Sequence, residues 1–177
     1  MGTGTGHNVG FDHMTVVVTD LDEARRFFGL LGFAERLAVV AQGEEIARYM
    51  GFEDWEADHV TLALEGARVH QEVQLLRFHR PPPAPDDGAG TLTRVGFNHV
   101  CFRVDDLDAM LAHLAGHGIT PRNDVMDFHD RRLVFVDGPG IVVELAQWLQ
   151  GPGADGVTEH ERSPRSEGWQ SGRMHSS

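Results

Sequence analysis

The chain has 177 residues, of which 41% are hydrophobic and 24% charged, as expected for a globular protein of one domain or two small ones. Its formal net charge of −12 argues against nucleic acid or an anionic membrane surface as a partner. All 15 basic residues are arginines, which excludes lysine-based catalysis, and the single Cys101 excludes an internal disulfide and a multi-cysteine metal site. No segment has the pattern of a secretory leader or the length of a membrane span, so we expect a cytoplasmic protein.

The first predicted module covers residues 10–79 and follows a flexible N-terminus at 1–9. Residues 11–18 are rich in β-branched and aromatic side chains and are predicted to form a strand. Asp20 then precedes an amphipathic segment that ends at Gly32, which predicts a capped helix. Three further strands are expected after this helix, and about 16 extra residues, 43–58, interrupt them.

A proline-rich linker, 80–94, separates this module from a second one at 95–149. The second module repeats the order, with a strand at 97–104 and a helix that begins after Asp106. Three strands are expected near residues 119–125, 131–137 and 140–147. The polar, glycine- and serine-rich segment 150–177 is predicted to be a disordered tail.

The two modules are copies of one sequence pattern. The motif GFDH at 10–13 is repeated as GFNH at 96–99, and the triplet DLD at 20–22 is repeated at 106–108, both 86 residues later. This register makes a chance match improbable and indicates a duplication. The sequence therefore predicts an α+β fold of two tandem βαβββ modules.

Each copy carries polar side chains within otherwise apolar strands. His13 and His99 lie in the first strands, and Gln74 and Glu144 in the last ones. A polar group on an apolar strand face costs free energy unless it is paired or ligated. If the modules pair by pseudo-twofold symmetry, the four groups converge, and two imidazoles, a carboxylate and an amide oxygen suit an octahedral divalent metal.

This pattern resembles the vicinal oxygen chelate superfamily, which includes glyoxalase I, methylmalonyl-CoA epimerase, extradiol dioxygenases and fosfomycin-resistance proteins. The resemblance spans roughly residues 10–147 and rests on the motifs FDHMTVV, EVQLLRF, FNHVCFRV and VVELAQ. It implies a curved mixed sheet around a metal-binding crevice. The implied metal ligands, His13, Gln74, His99 and Glu144, follow an order similar to that of methylmalonyl-CoA epimerases.

The resemblance also implies a cofactor and a reaction. One divalent ion (Mn, Fe, Co, Ni or Zn) would chelate vicinal oxygens of a small substrate and stabilise an enolate during proton transfer. Glu144 would be both ligand and candidate base, Glu72 a second candidate base, and Glu45 a weaker third. Arg103 is expected on the same strand face as His99, where it could bind a substrate carboxylate or phosphate.

Two other functions remain open at this point. An Fe(II) extradiol-type dioxygenase would need only His13, His99 and Glu144. A metal-free protein that sequesters a ligand, as the bleomycin-resistance members do, would need none of them. Family members pair their modules within one chain or between two chains, and we expect a homodimer.

Overall fold

The computed structural model describes residues 8, 10–84, 88 and 90–149; the predicted tail at 150–177 and most of the predicted N-terminal segment lie outside them. The first module contains β1 (His13–Val17), α1 (Leu21–Leu30), β2 (Phe33–Gln42), α2 (Glu44–Met50), β3 (Glu56–Leu64) and β4 (Glu72–Arg80). The second contains β5 (Val100–Val104), α3 (Leu107–Ala115), β6 (Met126–Phe128), β7 (Arg131–Gly138) and β8 (Ile141–Trp148).

Each module forms its own four-stranded mixed sheet. The strand order is β1-β4-β3-β2 in the first sheet and β5-β8-β7-β6 in the second. In both, the first strand pairs in parallel with the last, and the remaining pairs are antiparallel. The α+β class and the duplicated architecture are therefore confirmed, and the strands β1 and β5 lie at the sheet edges.

The two DLD triplets begin the two long helices, as predicted. The Asp20 carboxylate accepts a hydrogen bond from the Glu23 amide at 2.9 Å, and the Asp106 carboxylate accepts one from the Ala109 amide at 3.0 Å. Each bond satisfies an amide that has no partner within the first helical turn.

The modules share one hydrophobic core, which lies between the sheets and the helices. It includes Phe28 and Leu75 from the first module and Leu114 and Leu145 from the second, and all four are buried. The rings of Phe33 and Phe102 contact across the module boundary, with centroids 5.4 Å apart. The helix-facing side of each sheet therefore packs in the hydrophobic core. The opposite side of each sheet carries the polar side chains described below.

Two predicted elements differ from the structure. Residues 119–125 form no strand and make only an isolated bridge at Pro121, and the strand follows at 126–128 instead. Proline has no amide hydrogen, and the Asn123 side chain takes the Phe135 amide that a strand partner would need. The extra segment at 43–58 forms α2, but its last three residues already belong to β3.

Among the residues that the structure describes, no helix combines the length and the apolar character needed to cross a bilayer.

Candidate metal centre

Strand alternation gives the first sheet a core side and a polar side. Val16 and Leu75 are buried against the helices. The intervening residues point the other way, because successive side chains of a strand alternate. This side, which we call the site face, carries His13 opposite Glu72, and Thr15 opposite Gln74.

The second sheet repeats the register of this ladder, although its side chains differ. Cys101 lies opposite Glu144 in the β5–β8 ladder, as Thr15 lies opposite Gln74 in the β1–β4 ladder. Cys101 follows Thr15 by the same 86 residues that separate the two histidines. Gln74 and Glu144 therefore occupy equivalent positions, which the sequence alignment predicts. His99 immediately precedes β5.

Both histidines are held through the same ring nitrogen. His13 Nδ1 lies 2.5 Å from Asp12 Oδ1, and His99 Nδ1 lies 2.7 Å from Asn98 Oδ1. The Asp12 carboxylate can only accept a hydrogen bond, so His13 Nδ1 is the donor. The Asn98 amide nitrogen donates to the Leu92 carbonyl, so the Asn98 oxygen faces His99 and accepts from its Nδ1–H group. With Nδ1 as the donor, Nε2 is the ring nitrogen that can coordinate a metal ion, as in metal-binding histidines with a second hydrogen-bond partner.

His99 and Glu144 form one half of the predicted centre. His99 Nε2 lies 3.6 Å from Glu144 Oε2, and both side chains are partly buried. This separation is shorter than two metal–ligand bonds of about 2.1 Å end to end, so one cation could contact both atoms. The chemistry of the pair fits a divalent ion.

Gln74 lies within a chain of hydrogen bonds on the other site face. Its amide nitrogen donates to Glu72 Oε1 at 2.7 Å, and its Oε1 lies 3.1 Å from His59 Nε2 and 3.5 Å from the Thr15 hydroxyl. His70 Nε2 lies 3.0 Å from the second oxygen of Glu72. Because Glu72 only accepts, the chain has a fixed direction: the Gln74 oxygen faces His59 and Thr15.

The pKa of the Cys101 thiol depends on its burial and on its neighbour Glu144. Partial burial, with the hydrogen bond to Glu144 and the negative charge there, raises the pKa of the Cys101 thiol to about 12, against a smaller opposite effect of Arg131. The thiol is therefore protonated at neutral pH and donates to the carboxylate. It is not a ligand in this state.

Among the residues that the structure describes, His13 does not join His99 and Glu144 in one cluster. Among the described residues, no three His, Cys, Asp or Glu side chains lie close enough together to hold a metal ion. The structure brings His99 to Glu144, and it sets His13 on the same face as Gln74 and Glu72. The four-ligand set remains a prediction.

The other predicted site residues divide between the two modules. Arg103 lies on the site face of the second sheet, two positions after Cys101, as predicted. Glu45 is exposed in the first turn of α2. This helix packs with Trp55 and Phe78 over the β4 end of the first site face, so it forms a wall there.

Several site residues were missed from the sequence. Asp12 and Asn98 could have been found, since both are Asx residues directly before the repeated histidine. His59 shares the period-two alternation of its strand with Thr61, but nothing in the sequence pairs it with Gln74. Arg131 and Trp148 meet only through the β7–β8 register.

Comparison with known proteins finds a matching family model and a curated relative. A sequence model described as the Glyoxalase/Bleomycin resistance protein/Dioxygenase superfamily matches residues 12–135. The protein YaeR of Escherichia coli K12, described as uncharacterized, is 29% identical over 136 residues, which cover 75% of this chain and 92% of YaeR.

Two solved structures show the same fold. A glyoxalase family protein from Bacillus cereus is 26% identical, with a TM-score of 0.75 over 84% of this chain and 100% of its own. The fosfomycin resistance protein FosX of Listeria monocytogenes, complexed with Mn(II) and sulfate, is 12% identical, with a TM-score of 0.51 over 80% of this chain and 93% of its own.

Proposed function

Since the chain belongs to the glyoxalase/bleomycin resistance protein/dioxygenase superfamily, we propose that it is a metal-dependent enzyme of the glyoxalase and epimerase type. The observation that carries this proposal is the duplicated Asx–His pair. In both modules, the side chain before the histidine binds Nδ1, so Nε2 is the ring nitrogen left over, and in His99 it lies next to Glu144. One ring nitrogen held by a polar partner, with the other left over, is the arrangement of metal-binding histidines.

His13, Gln74, His99 and Glu144 would hold one divalent ion, and a resident ion would polarise a substrate carbonyl and acidify the adjacent C–H group. The remaining work falls to the protein. Glu144 and Glu72 each place a carboxylate on one of the two site faces, and each is mostly buried, with 16% of its side chain exposed. Either can take the proton from the substrate carbon and return it.

Glu72 is the better-placed base of the two when Glu144 is a ligand. Its Oε2 is 3.0 Å from His70 Nε2, and the His70 side chain is 61% exposed. The His70 imidazole lies between the Glu72 carboxylate and solvent. A proton taken up by Glu72 can therefore exchange with water through His70. Gln74 holds the other oxygen of Glu72 in place.

One observation favours a second candidate. Both polar atoms of Gln74 already have hydrogen-bond partners, and its oxygen faces His59. If Gln74 keeps these partners, the ligand set reduces to His13, His99 and Glu144. This set is the one expected of an Fe(II) extradiol-type dioxygenase.

Metal titration of the full chain tests the proposal and separates the candidates. Variants His13→Ala, His99→Ala and Glu144→Ala should each lose most Mn(II), Fe(II), Co(II), Ni(II) or Zn(II) binding, whereas His113→Ala on the exposed face of α3 should bind like the wild type. Gln74→Ala should weaken binding in the glyoxalase and epimerase type and leave it unchanged in the three-ligand type. Unaltered metal binding in His13→Ala, His99→Ala and Glu144→Ala would refute both candidate functions.

Activity is then assayed with the preferred metal. Hemithioacetals of α-ketoaldehydes and acyl-CoA thioesters are incubated in deuterated water, and solvent deuterium is sought at the carbon next to the carbonyl. Catechols with oxygen are the parallel assay for ring opening. Deuterium exchange abolished by Glu72→Gln or Glu144→Gln supports the proposal, and ring opening without exchange supports the second candidate.

A further inference from the structure

Two arginines and a tryptophan lie together on the second site face. Arg131 is the β7 partner of Trp148, and Arg103 is the β5 partner of Ala146, two residues before it. The guanidinium carbons of Arg131 and Arg103 lie 4.1 Å and 5.9 Å from the Trp148 ring centroid. We call these three residues the Arg–Trp cluster. Strand alternation sets it on the same face as Glu144.

The first module has no such cluster at the equivalent positions. Val17 corresponds to Arg103, Phe78 to Trp148, and Ala57, opposite Phe78, to Arg131. Phe78 and Ala57 pack beneath α2 and Trp55. The described part of the second module contains no counterpart of α2, so the duplicated surfaces have diverged. One is apolar and covered, and the other is cationic and open.

The positive charges of Arg103 and Arg131 have few carboxylate partners. Most of the arginines that the structure describes have a carboxylate partner. Arg132, next to Arg131 but facing the core side, binds both Asp108 oxygens at 2.8 and 2.9 Å. Arg103 has no ion pair with any described residue. Arg131 has one exposed contact, to Asp130 at 3.4 Å.

The indole holds the guanidinium groups without consuming their hydrogen bonds. A cation–π contact uses the flat face of a guanidinium, while its N–H groups point outward in the plane. Such edges match the oxygens of a carboxylate or a phosphate. Met126 and Phe128, both about half exposed at 50% and 48%, extend the same face with apolar surface.

We propose that the Arg–Trp cluster binds an oxyanion group of the substrate, a carboxylate or a phosphate, beside Glu144. The anion-binding proposal rests on the proposed function in one respect, which is that the same substrate molecule would also reach the metal centre. The substrate class is then a small molecule with an anionic end, held by Arg103 and Arg131, and a carbonyl end at His99 and Glu144. Trp148 is a positioning residue for the two guanidinium groups.

The test uses the full chain, stripped of metal so that an anion cannot bind through a metal ion. The indole Nε1–H resonance of Trp148, assigned with Trp148→Phe, is followed during titration with inorganic phosphate and with acetate at constant ionic strength. We expect a saturable shift for at least one anion, and we expect Arg103→Gln and Arg131→Gln each to weaken binding by about tenfold.

Arg36→Gln is the matched control, because Arg36 is an exposed arginine of the first module that pairs with Glu65. It removes the same charge and should leave the titration unchanged. Chloride producing the same shift, or Arg36→Gln weakening binding as much as Arg103→Gln, would overturn the proposal.

The two proposals fail separately. If phosphate or acetate binding depends on both arginines while His13→Ala and Glu144→Ala leave metal binding intact, the Arg–Trp cluster is supported and the metal centre is wrong. If metal binding depends on the predicted ligands and neither anion shifts Trp148, the cluster is wrong and the metal centre stands.

Discussion

Asn98 Oδ1 lies 2.7 Å from His99 Nδ1, and the amide nitrogen of Asn98 is held by the Leu92 carbonyl. The carbonyl oxygen of the side chain therefore cannot turn away from the imidazole without losing both contacts. The ring orientation of His99 is set before any ligand arrives, and the lone pair that remains is the one next to Glu144.

The first prediction concerns this positioning. Asn98→Ala and Asp12→Ala should each lower metal affinity by about 10- to 100-fold, because a metal-binding imidazole depends on its second hydrogen-bond partner for tautomer and orientation. Calorimetric titration measures the loss. Asn98→Asp restores an oxygen acceptor for Nδ1 but not the donor to the Leu92 carbonyl, so it should recover part of the affinity. A variant that binds metal normally without any acceptor would show that the Asx residues have no such role.

The sequence could reveal the fold because the chain is duplicated. A fixed offset of 86 residues aligned His13 with His99 and one helix cap with the other, and the strand registers confirm the alignment. The helix α2 and the start of β3 could not be separated, since the insertion has no counterpart to align with. The strand expected at 119–125 was wrong because Pro121 and Asn123 remove the ladder bonds it would need.

The site was less accessible to sequence analysis. Gln74 is surrounded by His59, Glu72 and Thr15 through pairing of three strands that are distant in the chain. The Arg–Trp cluster likewise depends on the β7–β8 register. Period-two alternation tells which face a side chain is on, but not which neighbour it meets there.

The second prediction is that two copies complete each metal centre. Both first strands, β1 and β5, are sheet edges, and within the described chain no three His, Cys, Asp or Glu side chains converge on a metal-sized site. In a twofold dimer, one copy could supply His13 and Gln74, and the other His99 and Glu144.

Mixing two variants that each lose metal binding tests whether a metal centre is shared between two chains. His13→Ala and Glu144→Ala damage different halves, so random pairing of the two chains restores one intact centre in each mixed dimer, about a quarter of the wild-type number. The metal content of the unfolded and refolded mixture measures it. A mixture that binds no more metal than either variant alone would place the centre within one chain.

The third prediction concerns the thiol of Cys101. The pKa near 12 keeps the reactive thiolate scarce at pH 8, so alkylation by iodoacetamide should be slow and should keep rising up to pH 11 without a plateau. Glu144→Gln removes the negative charge that opposes ionisation, which lowers the pKa and raises the rate at pH 8 by about tenfold for each unit. Because the chain has one cysteine, mass spectrometry of the intact protein gives the rate directly.

Glu35→Gln is the control for that experiment, since Glu35 lies on β2 of the first module, where it pairs with Arg25 of α1. It should leave the alkylation rate unchanged. A wild-type rate that levels off near pH 9 would mean that Glu144 does not act on the thiol.

The fourth prediction tests the contact between the modules. Gly140, in the turn between β7 and β8, has φ of 73°, and a Cβ there would lie 3.0 Å from the Val17 carbonyl oxygen at the edge of β1. Gly66, in the corresponding turn of the first module, has φ of 70° and open space around it. Alanine at either position carries the backbone cost of roughly 1–2 kcal/mol, but only Gly140→Ala must also displace the neighbouring module.

Gly140→Ala should therefore lower the free energy of unfolding by about 1–3 kcal/mol more than Gly66→Ala does. Urea denaturation of the two variants at equal protein concentration measures the difference. Because φ is nearly the same at both glycines, the difference between the two losses of stability reports the packing of the β7–β8 turn against β1. Equal losses would mean that this turn does not rest against β1 in solution, and that the modules are held together by the shared hydrophobic core alone.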